Sequence, residues 1–297
     1  MPPVFVSQVQ HPQEMAALDL LIQSLRSFGG DLANCPVWVF CPTAPRPNCR
    51  DFAAARVEVC PLDPPAAVLA YPFGGKVAAC AAAEARAGRE VNALIWMDPE
   101  CLVIQPPRLF DLEPGVEAAL RPVHRRNVGL AAGEPLDPFW QGICAAVSVA
   151  DFPTTVTSFI DGQVLRTYFN SHAFSINPAR GLLSRWYELF QHLITDPRFQ
   201  AAACADAPHR IFLFQALLSA LTVTTLPPDR IRILPPAYNY PYNLHGQVPV
   251  ARRPAALNDL VCLTYEGRPI APDRVTDVQI NPPLDIWLQE RLSHSTG

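Results

Sequence analysis

Short strand-forming runs alternate with helix-forming ones from the first residues of this 297-residue chain, and that rhythm constrains its fold more than any other feature. Residues 4–9 (VFVSQV) read as a strand, and residues 14–28 carry apolar side chains at helical spacing until Gly29 and Gly30 supply a stop. Further strands follow at 37–41 and 56–60, then an alanine-rich helix at 76–87 and an apolar strand at 93–97 that runs directly into Asp98. Strands joined through helices run parallel and have both faces covered. The spacing therefore predicts an α/β fold with a mostly parallel central sheet flanked by helices.

The second half continues with strands at 102–104, 118–123 and 169–176, a helix opened by Pro178 and reaching about Ile194, an apolar helix at 209–221, and late strands at 231–234 and 260–265. Residues 124–138, polar and glycine-bearing, read as a mobile loop whose His124, Arg125 and Arg126 are either solvated or close over a phosphate. No repeat or low-complexity linker is visible. The expected division is one domain over residues 1–270 with a proline-rich tail, 271–297, packing on it.

Composition removes several function classes. A formal charge of −4 and a pI near 6.0 provide no basic field for a nucleic-acid backbone. No apolar run reaches the roughly 18–20 residues that span a bilayer, and MPPVFVSQVQ lacks a basic region followed by an apolar one, so neither a membrane span nor secretion is expected. Nine cysteines with no CxxC pair suggest neither a zinc ribbon nor a full disulfide framework; reduced thiols and a cytoplasmic location are expected.

The segment ALIWMDPECLVIQPP carries the strongest chemical signal, a buried strand ending in two carboxylates two residues apart. Positions i and i+2 of an extended chain point to one side, so Asp98 and Glu100 can converge on one cation, and their hard oxygens suit Mg²⁺ or Mn²⁺. The carboxyl end of a parallel sheet is also where open α/β folds bind ligands. A solvated turn after a strand would have the same pattern. Lys76, the only lysine in the chain, follows Gly74 and Gly75 at a helix start, where N–H groups and an ammonium favour an anion; the spacing is not that of a Walker loop, and a plain surface lysine is the alternative.

The acidic triplet MDPE, with the strand before it and the short apolar strand and proline after it, resembles the metal and nucleotide-sugar motif of GT-A-type glycosyltransferases, particularly the glycogenin-like and galactosyltransferase-like branches. TYFNSHAFSINPARGLLSRWYELF is similar to the family's Asn-Ser strand and tryptophan-bearing helix, PHRIFLFQALLSAL to its glutamine-bearing helix, and ILPPAYNYPYNLHGQ to its late tyrosine- and asparagine-bearing loop. The resemblance implies a single GT-A-like, Rossmann-like domain. It implies Asp98, Glu100 and Gln215 as catalytic positions, Lys76, Asp98, Asn170, Ser171, Asn239 and Tyr240 as donor contacts, and Asp98, Glu100 and His245 as ligands of Mn²⁺ or Mg²⁺. Three departures stand out: Glu100 where aspartate is usual, His172 where glycine follows Asn-Ser, and Phe214 where an acid precedes the glutamine. The implied function is metal-assisted transfer of a sugar from a nucleotide sugar, UDP-linked first of all, to an unknown acceptor. Retention is favoured because no carboxylate base is evident. The departures support one alternative, a catalytically silent GT-A-like binding protein.

Overall fold

In the computed structural model, which describes residues 2–43, 56–152, 154–267 and 278–292, the expected alternation of strands and helices is present. The first half runs β1 (Val4–Gln8), α1 (Met15–Phe28), β2 (Val37–Cys41), β3 (Val57–Pro61), α2 (Ala66–Leu69), α3 (Gly74–Arg86), β4 (Leu94–Met97) and β5 (Cys101–Val103). It continues with β6 (Ala118–Pro122), α4 (Pro138–Ala146), a hairpin of β7 (Thr155–Thr157) and β8 (Val164–Arg166), and β9 (Phe169–Ile176). Then come α5 (Leu182–Thr195), α6 (Pro197–Ala203), α7 (Ala207–Thr225), β10 (Ile231–Ile233), β11 (Tyr240–Pro241), β12 (Cys262–Thr264) and α8 (Leu284–Leu292).

Seven strands form the main sheet in the order β10-β6-β9-β4-β1-β2-β3. Every neighbouring pair is parallel except those of β9, which runs antiparallel to both β4 and β6. The period of two along each strand divides its side chains between two cores. Val4, Val6, Leu94 and Trp96 pack with α3, α5 and α7, while Phe5, Ile95 and Met97 pack with α1. A three-stranded sheet, β11-β12-β5, builds a third core with α8. Trp287 of α8 donates to Ser27 Oγ at 2.8 Å and meets the ring of Phe28 edge-on at 5.3 Å. The expected domain boundary at 270/271 lies outside the described residues. No described helix is long and apolar enough to cross a membrane.

Two expectations need correction. Residues 124–138 are not a loose loop: Val128 and Leu130 are buried, Arg126 bonds Gly129 O and Glu134, and Trp140 Nε1 donates to Val128 O at 2.6 Å. The helix from Pro178 is broken at Gly181, whose φ of +65° ends a single 3-10 turn before α5 begins. Gly181 has no side chain to cap α5, and the cap comes from α3 instead. The buried Glu84 carboxylate accepts Leu183 N at 3.0 Å and Ser184 N at 2.7 Å. Because those donors have no other partner, Glu84→Ala is expected to destabilise the fold by about 2 kcal/mol. Urea unfolding measures this, and an unchanged midpoint would remove Glu84 from the account of α5.

Candidate active site

β4 delivers Asp98 to the carboxyl edge of the sheet, and Trp96, two residues earlier on the same face, donates its indole N–H to Asp98 Oδ1 at 2.7 Å. Lys76 arrives from the first turn of α3, which packs on that face. Its ammonium, 1% exposed, lies 2.8 and 3.0 Å from the two Asp98 oxygens and 2.6 Å from Ser171 O. The rings of Trp96 and Phe214 stand 5.3 and 5.4 Å from Nζ, adding cation–π contact where water is excluded. β9 completes the group because its antiparallel course brings its entry to the edge where β4 ends. Asp98 N donates to His172 O at 2.8 Å, and His172 Nδ1 lies 2.8 Å from Asp98 Oδ2.

Burial alone would raise the Asp98 pKa. The charge of Lys76 and the hydrogen bond and charge of His172 outweigh it and hold the carboxyl at about 2. An ionised Asp98 can only accept, so Nδ1 of His172 is the donor in that bond.

These side chains form one wall of a pocket of about 290 Å³. Glu14, Glu100 and Glu266 also line it, making four carboxylates with Asp98 against the single ammonium of Lys76. Phe73, also in the lining, is 39% exposed and stacks on Phe214 with centroids 4.4 Å apart. Its backbone is left-handed at φ +60°, an uncommon conformation for a phenylalanine. The next residue must be glycine, since a Cβ on Gly74 would lie 1.9 Å from Val68 O. Sequence reasoning did not single out Phe73, Trp96, Gln8, Gln10, His11, Glu14 or Glu266 for this pocket. Trp96 was recoverable from its i, i+2 relation to Asp98, and Gln8 and Gln10 from the end of β1 beside β4.

The expected site residues divide into two sets. Lys76, Asp98 and Glu100 line the pocket, and Ser171 borders it through its carbonyl. Lys76 is neither a surface lysine nor aimed at an open anion site, because its three donors are taken by Asp98 and Ser171. Gln215 reaches the site only through the Ser171 hydroxyl, 3.1 Å away. Asn170 accepts from His172 N at 2.8 Å and Asn239 Nδ2 at 2.5 Å, so the two asparagines brace β9 from behind. Tyr240 bonds His245 Nδ1 at 2.8 Å, both buried and outside the pocket lining.

The expected three-ligand cation set is therefore not assembled. Among the described residues no three His, Cys, Asp or Glu side chains are grouped to hold a metal. The Asp98 oxygens already receive Lys76, Trp96 and His172, whereas Glu100 Oε1 accepts from Gly267 N at 3.0 Å and the side chain faces the pocket. Such a donor set fits a hard cation held by one or two carboxylates and completed by substrate phosphates, not one caged by protein.

Residues 4–222, most of the chain, match the model of the Rhodobacterales glycosyltransferase domain. The chain belongs to this glycosyltransferase family. Its fold is that of GT-A-type glycosyltransferases. An active-site mutant of LgtC aligns over 98% of this chain and 95% of its own, with a TM-score of 0.57 at 13% identity. The galactosyltransferase LgtC with donor and acceptor sugar analogues aligns over 98% and 94%, with a TM-score of 0.53 at 14% identity. The bifunctional glycosyltransferase WbbM matches 98% of this chain but 51% of its own, with a TM-score of 0.54 at 12% identity. No curated protein matches by sequence.

Removing one partner of a buried ion pair leaves the other uncompensated, so Lys76→Met is expected to cost about 3–5 kcal/mol in urea unfolding at neutral pH. Asp98→Asn in the same chain should restore part of the loss. The ionised Asp98 contributes stability that is present above its ordinary value of 3.8 and lost as pH falls towards about 2. Without Lys76 the carboxyl titrates closer to or above its unfolded value, so the stability lost on acidification should be smaller than in the wild type, or reversed in sign. Identical acid profiles would show that Lys76 does not hold Asp98 ionised.

Proposed function

We propose that this glycosyltransferase uses a nucleotide sugar, with a UDP-sugar as the first candidate, and breaks its glycosidic bond in the Asp98 pocket. The observation that carries this reading is a carboxylate kept ionised at the carboxyl edge of the sheet by Lys76, Trp96 and His172. Phe73 offers an exposed aromatic face for the base or the sugar ring. The carboxylate oxygens of Glu100, which faces the pocket, suit sugar hydroxyls. A diphosphate facing four carboxylates and one lysine needs added positive charge, and this supports Mg²⁺ or Mn²⁺ entering with the donor, with Glu100 as its direct protein ligand beside Asp98. When bound, such a cation would neutralise the charge that develops on the departing diphosphate. Lys76 acts through Asp98, keeping it charged and fixed.

Retention was expected for want of a base. His172 supports a second stereochemical reading: with Nδ1–H held by Asp98 at 2.8 Å, its Nε2 is suited to take a proton from an acceptor hydroxyl, as inversion requires.

Thermal unfolding with UDP, GDP, UDP-glucose and UDP-galactose, each with and without Mn²⁺, tests the donor reading. One nucleotide should raise Tm in a metal-dependent manner, and Glu100→Gln should abolish the rise and lower turnover about 100-fold or more. Stabilisation without turnover towards any acceptor would favour the silent binding protein, and no stabilisation at all would sink the donor reading. The product anomer, read by NMR, separates the two outcomes; with inversion, His172→Ala should lower kcat by about 100-fold or more.

A further inference from the structure

Among the described residues Arg121 is a buried charge without a counter-charge. It lies on β6 opposite Asn170 of β9, is 2% exposed, and donates Nη1 to Tyr238 O at 2.9 Å and to Asn239 O, with its guanidinium 4.3 Å from the centre of the Phe159 ring. Nη2 has no hydrogen-bond partner, and among the described residues no carboxylate forms an ion pair with this arginine. The titratable groups around it supply no negative charge. Burial pushes Tyr240 and Cys262 up to about 12, so both are neutral at pH 7. His124 is also buried with neither ring nitrogen hydrogen-bonded, and burial, with the charges of Arg121 and His172, pushes its pKa down. Burial brings Arg121 to about 9, still charged at neutral pH. An isolated charge in such a place is costly unless something opposite pairs with it.

A cleft of about 480 Å³ lies against this arginine. Arg252, exposed at its rim, donates to Phe159 O, and Thr157, Ser158, Phe159 and Pro235 form part of the wall. Among the described residues no acidic side chain is in the lining. The charge is thus opposite to that of the Asp98 pocket, where carboxylates predominate. The two are linked through the entry of β9: Arg121 holds the carbonyl of Asn239, whose side chain bonds Asn170, which in turn fixes the amide of His172.

We propose that the Arg121–Arg252 cleft is the acceptor site, and that the acceptor carries an anionic group, a carboxylate or a phosphate, which pairs with these two guanidinium groups. The inference rests on the donor reading for the meaning of "acceptor". The anion-binding property does not depend on it. Guanidinium forks match the planar oxygens of either group, and the hydroxyl-bearing wall offers further donors.

Isothermal titration of the intact protein with glucuronate, glucose 6-phosphate and glucose tests this, since the three probes share a sugar ring and differ in charge. At least one anionic sugar should bind about tenfold more tightly than glucose, and which of them binds separates a carboxylate acceptor from a phosphorylated one. Arg252→Gln, at an exposed position, should reduce that affinity about tenfold, and Arg121→Gln should do the same, its folding checked by urea midpoint. Anionic sugars that bind no better than glucose, or an affinity that survives Arg252→Gln, would overturn the proposal. Titration of UDP-galactose and UDP-glucose into the same samples keeps the two readings apart. Nucleotide-sugar binding without anion discrimination sinks the cleft and leaves the donor site standing, whereas Arg252-dependent anion binding without nucleotide-sugar binding does the reverse.

Discussion

The ammonium of Lys76 is the point at which three elements meet. It joins α3 to the end of β4 through both Asp98 oxygens and to the entry of β9 through Ser171 O. Burying such a pair adds little net stability over a well-packed apolar replacement, but removing half of it is costly, so what it secures is geometry. A carboxylate that would otherwise be protonated or mobile is held ionised at a single place. Trp96 and His172 take the remaining acceptor directions, so Asp98 cannot turn without breaking bonds to three elements.

The reversed strand β9 turns that anchor into a site. Were β9 parallel to its neighbours, Asn170, Ser171 and His172 would lie at the far edge of the sheet from Asp98. Running antiparallel, it pairs Ala173 with Met97 on one side and Asn170 with Arg121 on the other. An acidic pocket and a cationic cleft thereby flank the entry of one strand. The Asn170–Asn239 pair ties the late chain segment to both.

Much of the frame was legible in the sequence because strand and helix periods are local properties of the side chains. β1, β2, β4, β9 and α7 fall close to where apolar spacing puts them. The shorter helices α4 and α6 were not anticipated, although Asp137 and Asp196, each before a proline, are their N-caps. Local signals of that kind lose to longer apolar patterns when a chain holds 33 prolines. The start of α5 was not readable at all, because its cap, Glu84, lies about a hundred positions away in the chain.

By itself the sequence determined the α/β class, the strand that ends in Asp98 and Glu100, and the singular Lys76, since each follows from composition or from spacing within one segment. Tertiary structure alone decided that Lys76 is spent on Asp98, that Glu100 faces the pocket while His245 turns to Tyr240, and that Arg121 is buried without an acid. The physical reason is that charge pairing is a property of distance in space. Residues 22 and 95 positions apart meet in one ammonium only after the sheet has formed.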